Sequence, residues 1–138
     1  MHFSSSFLAL ALAASSTSVS ASAIPGNRVS SDVMLAMDYP NAATCGQKNP
    51  AINMAIQAYC RRDNLVVGTP FARGGMRHNG IKVKIVGNNC PADSRWIPGN
   101  YCDAQFHYLC ANMAGPNGQG WMRFGANNCQ TWVIQHHN

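Results

Sequence analysis

Apolar positions recur at helical spacing in two stretches of the chain and alternate at strand spacing in two others. The first helical stretch opens at Asn49-Pro50, with asparagine as cap and proline at the first helical position. Ile52, Ala55, Ile56, Tyr59 and Cys60 then share one face, and Arg61 and Arg62 suit the negative carboxyl end of a helix stopping near Arg62. The second opens at Pro98, buries Cys102, Phe106, Leu109, Cys110 and Met113 along one stripe, and ends at Gly115-Pro116-Asn117-Gly118. Between them, Ile81, Val83 and Ile85 alternate with Lys82 and Lys84. Asn79-Gly80 before them favours a tight turn, which predicts a hairpin whose partner strand covers residues 71–77. A second hairpin is predicted from residues 121–124 and 130–135, joined through Gly125-Ala126-Asn127-Asn128.

Elsewhere the pattern is thinner. Residues 33–37 read as a short strand, Tyr39-Pro40-Asn41 as a turn, and residues 91–99, with Trp96 among them, as a loop. The order helix, hairpin, helix, hairpin predicts an α+β domain: a mostly antiparallel sheet of about four strands layered with two helices.

The amino-terminal pattern is of another kind. Residues 7–14 form an apolar run too short to span a bilayer, followed by a serine-rich stretch ending in Ala21-Ser22-Ala23. This reads as a signal peptide over residues 1–23, with residues 24–43 as an arm holding the short strand and residues 44–138 as one domain. No later run approaches the roughly 20 apolar residues of a membrane span, so none is expected. Export fits the six cysteines, Cys45, Cys60, Cys90, Cys102, Cys110 and Cys129, which predict a disulfide-stapled extracellular domain with no free thiol. Their pairing is open at this stage. They lack the clustered spacing of a zinc site, and the aspartates lack calcium-loop spacing, so neither a metal nor any cofactor is expected.

Composition then narrows the chemistry. The chain has no glutamate, and its only acids are Asp32, Asp38, Asp63, Asp93 and Asp103, against 10 lysines and arginines for a formal charge of +5. Catalysis by a glutamate is excluded, and the charge favours acidic partners such as acidic glycans, phosphate or nucleic acid. Abundant asparagine, glutamine and glycine mean that amides, which offer both donors and an acceptor, carry much of the polar surface.

One resemblance goes further. The run from Asn49-Pro50-Ala51-Ile52 to Tyr59-Cys60, the Trp96-Ile97-Pro98 segment before Tyr101-Cys102 and Gln105-Phe106, and the ending Phe124-Gly125 with Asn128-Cys129-Gln130-Thr131-Trp132 resemble the small secreted fungal glycan-binding proteins of the Y-three-like type. The likeness covers residues 44–134. It implies a non-catalytic lectin with a helix-sheet-helix layered fold; binding of wall or surface glycans would give such a lectin a role in defence or cell-surface recognition.

Sugar recognition needs an aromatic face for the C–H side of the ring and planar polar groups for its hydroxyls. Trp96, with Asp93 and Arg95 beside it, and Trp121, near Arg123, are the expected platforms, while Trp132 alternates with Ile134 and is expected in the core. Asn127 and Asn128 are candidate hydroxyl partners, as are Asn88 and Asn89, although turn chemistry alone also puts asparagine there. Arg73, Arg77, Lys82 and Lys84 lie on one predicted hairpin, the face to examine for an acidic ligand. The expected partners are glycans and not nucleic acid, and oligomerisation is one route by which such a lectin gains avidity. The rival class is a small secreted ribonuclease built on His78, His107 and Arg123. A third is an antimicrobial or effector protein, for which the first helix lacks a basic face.

Overall fold

A computed structural model describes residues 30–62 and 65–138. The expected signal peptide, residues 24–29 of the expected arm, and Asp63 lie outside the described residues. The expected α+β class holds: a four-stranded antiparallel sheet in the order β1-β2-β4-β3, helices packed on it, and three disulfides among the described residues.

Helices are more numerous than the two expected. The segment read as a strand is a helix, α1 (Ser31–Ala36), with Ser30 as cap accepting from the Val33 amide at 3.3 Å. The segment read as a turn lies inside α2 (Asp38–Lys48), with Pro40 in the first turn, where an amide has no intrahelical partner to lose, and Asp38 at the positive end. The Ser30 cap overrides the apolar run in α1, and in α2 a proline in the first turn is compatible with the helix. α3 (Pro50–Cys60) follows as expected, its cap Asn49 accepting from the Ala51 amide at 3.0 Å.

The strand expected over residues 71–77 is mostly helix as well. Thr69 caps α4 (Pro70–Gly74), whose first residue is proline, and only β1 (Met76–His78) remains to pair with β2 (Ile81–Gly87). Gly75 makes the turn from α4 into β1 at φ 75°, its backbone close against Val83 and Lys84 of β2. Where β1 has ended, the Tyr59 hydroxyl takes its place beside the ladder, accepting from the Ile85 amide at 3.1 Å and donating to the Ala72 carbonyl at 2.8 Å. The Asn79-Gly80 turn has positive φ at both residues, as the type I′ expectation requires.

α5 (Gly99–Tyr108) continues into a π-helical turn (Leu109–Met113), and the Lys48 ammonium donates to the Cys110 and Ala111 carbonyls at 2.7 and 3.0 Å there. β3 (Gly120–Phe124) and β4 (Gln130–His136) complete the sheet, with β4 paired to both β2 and β3.

The helices pack on one face of the sheet. Trp132 is fully buried there, as expected, with ring centroids 4.7 Å from Phe106 and 5.2 Å from Phe124. Of the helix-sheet-helix layering that the resemblance implies, the described residues contain the sheet and its helices on one side. Cys45–Cys110 ties α2 to the π turn, Cys60–Cys102 ties α3 to α5, and Cys90–Cys129 ties the chain after β2 to the chain before β4. None of the six cysteines is free.

Candidate functional site

The segment over residues 91–99, expected as a loop, is a fastened ribbon. It begins as a single 3-10 turn (Ala92–Ser94), then pairs with the chain before α4: Val67 donates to the Arg95 carbonyl at 2.7 Å and Ile97 to the Leu65 carbonyl at 2.9 Å. From the other side, Gln130 of β4 donates its Nε2 to the Ser94 carbonyl at 2.6 Å while its Oε1 accepts from the Trp132 indole at 2.9 Å. The ribbon carrying Trp96 is therefore anchored to both the α4 approach and the core of the sheet.

Between ribbon, α5 and the β3–β4 turn lies an open depression of about 200 Å³. Trp96 lines it, with its side chain on a residue 60% exposed. Tyr101 and Gln105, four residues apart on one face of α5, line it too, together with Gly125 and Gln130. An indole, a phenol and side-chain amides thus border one shallow space. The volume lies below the 300–1,000 Å³ usual for drug-sized ligands and suits a single ring.

The residues singled out from sequence do not form one site. Trp96 is in this depression. Asp93 is exposed on the 3-10 turn that leads to it. Arg95 is turned elsewhere: its Nε donates to the Cys90 carbonyl at 2.8 Å, and it lines a different hollow of about 390 Å³ with Asn89, Gly68 and Thr69. Trp121 and Arg123 lie on the sheet face away from the helices, the guanidinium 5.8 Å from the indole centroid. Asn127 and Asn128 follow Gly125 with φ of 53° and 58°, and Asn89 has 52°, so left-handed backbone alone gives asparagine a reason to be at these places.

Sequence reasoning missed Tyr101, Gln105 and Gln130 as site residues. A signal existed for Gln130: it alternates inward with Trp132 and Ile134, and a buried amide on a strand needs partners on both sides. The same applies to Tyr101 and Gln105, which share a helix face just after Trp96.

The residues of the nuclease reading are dispersed. His107 is buried and its Nδ1–H donates to Asp38 at 2.6 Å, within the helical layer. His78 is on β1, and Arg123 is on the outer sheet face. No hydrogen bond among the described residues joins these three. Asp103, on the same helix face as His107, is half-buried. Desolvation pushes its carboxyl up from 3.8 to about 6, with His107 and Arg61 opposing and Asp38 reinforcing the change.

No family model, curated protein or solved structure matches this chain. Among the described residues no helix is long and apolar enough to cross a membrane, and no group of three or more metal-ligating side chains is assembled.

Proposed function

We propose that this chain is a secreted, non-catalytic carbohydrate-binding protein that holds one sugar ring in the depression bordered by Trp96, Tyr101 and Gln105. The observation that carries the reading is the exposed Trp96 indole beside a phenol and an amide on an anchored frame. The ring supplies an apolar face for C–H groups, and Gln105 and the Tyr101 hydroxyl supply donors and acceptors for hydroxyls. Rigidity supports it too, because a preformed site loses less entropy on binding. The Gln130 bridge to Ser94 and the Cys90–Cys129 bond limit the motion of the ribbon and the β3–β4 turn. The three disulfides suit an extracellular setting.

A neutral-glycan array with the purified protein tests this. Trp96→Ala should weaken the best ligand about tenfold, or roughly 1.4 kcal/mol, without changing thermal stability. Trp132→Ala should instead cost roughly 3–5 kcal/mol of stability, since it truncates a buried ring. An array silent to every sugar, with RNA hydrolysis lost in His78→Ala or His107→Ala, would make the protein a nuclease instead.

A further inference from the structure

The sheet face turned away from the helices carries its own pattern. Alternation along the strands puts Arg77, Lys82, Lys84, Thr131, Val133, Gln135, Trp121 and Arg123 on that side, opposite the buried Ile81, Val83, Ile85, Trp132 and Ile134. Register arranges them in rows across the sheet. Arg77 faces Lys82, which faces Gln135; Lys84 faces Val133, which faces Trp121; and Arg123 faces Thr131.

Four cations therefore share this face, and no strand contains an acid. Among the described residues no ion pair engages any of them. Like charges directly opposite each other destabilise a sheet, so the Arg77–Lys82 pair is an unrelieved electrostatic cost. Lysines often guard an edge strand against unwanted pairing, but Lys82 is paired on both sides, with Arg77 of β1 and Gln135 of β4, so that purpose does not explain it. The neighbouring His137 is held below its ordinary pKa, first by desolvation and then by Arg77 and Lys82. Trp121 is 63% exposed at the far side of the same face.

We propose that this open face binds an acidic polysaccharide, with its carboxylate or sulfate groups on Arg77, Lys82 and Lys84 and one sugar ring on Trp121. The site is separate from the Trp96 depression, and the proposal does not depend on that reading. Lys82 and Lys84 stand roughly 7 Å apart along β2, and Trp121 is two strands away, roughly 10 Å, so the ligand must be a chain with several anionic groups. A single nucleic-acid strand has the charge but stacks successive bases on several rings. Trp121 is the one aromatic ring of this face among the described residues, with Arg123 beside it.

Titration of the purified protein with heparin, polygalacturonate, neutral dextran and poly(U), in about 0.1 M salt where charges are felt over about 10 Å, decides the matter. Both acidic polysaccharides should bind and dextran should not, with affinity falling as salt rises. Lys82→Gln/Lys84→Gln should weaken heparin about tenfold and flatten the salt dependence, since a face with two fewer cations displaces fewer counterions from the polyanion. Trp121→Ala should weaken it as well, while Trp96→Ala should leave it unchanged. Arg61→Gln/Arg73→Gln alters net charge equally at exposed positions off the strands and should have little effect. If this control is as damaging as the lysine pair, or if poly(U) binds as tightly as heparin, the proposal is overturned. Failure of both acidic polysaccharides to bind a protein whose far-ultraviolet spectrum is native overturns it too.

Discussion

At the scale of single residues, the polar groups inside the helical layer govern how stability responds to pH. Asp103 sits on α5 with His107 one turn on, and Asp38 of α2 reaches the same histidine at 2.6 Å. Two carboxyls and one imidazole share a partly dry space, with Arg61 contributing from the end of α3. Burial is the largest influence on Asp103, raising its carboxyl from 3.8 to about 6. An acid whose pKa is higher folded than unfolded binds extra protons on folding. Its contribution therefore favours the fold at low pH and is lost as the pH climbs from about 4 through about 6. The residue is only partly buried, so screening reduces the effect to about 1 kcal/mol. Chemical denaturation between about pH 4 and pH 7 should show the wild type losing that amount relative to Asp103→Asn, which cannot ionise. Parallel profiles for the two proteins would remove Asp103 from the account.

At the scale of elements, the junction from α4 to β1 shows how the chain chooses between helix and strand. The Asn79-Gly80 turn calls for a partner strand over residues 71–77, yet Thr69 and Pro70 start a helix that consumes Phe71, Ala72 and Arg73. Gly75 then has to turn at φ 75° with its backbone against Val83 and Lys84, 2.8 Å from the Lys84 Cβ for any added carbon. Gly75→Ala should therefore cost about 2 kcal/mol by strain and steric overlap together, measured as a lower denaturation midpoint with an unchanged slope. An alanine variant as stable as the wild type would mean that the turn relaxes freely. The same logic explains which elements were legible. α3, α5, β2 and β4 have strong periodicity, and each lies where its pattern predicts. α1, α2 and α4 are set by caps and first-turn prolines, which a short apolar run or a Tyr-Pro-Asn triplet conceals. The site was legible only in part, for a related reason. Trp96 announces itself by its polar neighbours, but Tyr101, Gln105 and Gln130 become a site only when the ribbon over residues 91–99 folds back against Leu65 and Val67. That pairing joins positions about thirty residues apart, and nothing in local spacing encodes it.

At the scale of the whole molecule, the disulfides tie together the elements that carry the two proposed binding surfaces. Cys45–Cys110 and Cys60–Cys102 lock α2 and α3 to the α5 region, and Cys90–Cys129 closes the sheet end next to the ribbon that bears Trp96. The bonds divide the work. The first two hold the helical layer that backs the sheet, at separations of 65 and 42 residues, while the third, at 39, holds the chain around Asn88 and Asn128. Chain-entropy reasoning gives about 4 kcal/mol for loops of these lengths, so the energetic cost of losing any one should be similar. The consequence for binding should not be. Cys90→Ser/Cys129→Ser frees the β3–β4 turn and the ribbon's start, which border the Trp96 depression, so neutral-sugar affinity should fall beyond what the stability loss explains. Cys45→Ser/Cys110→Ser leaves those borders tied and should lower the unfolding temperature while sugar affinity at about 10 °C below the transition stays near wild type. Calorimetric titration of the two double variants under folded conditions distinguishes them. Equal loss of affinity in both would show that the depression depends on global stiffness and not on its local anchor.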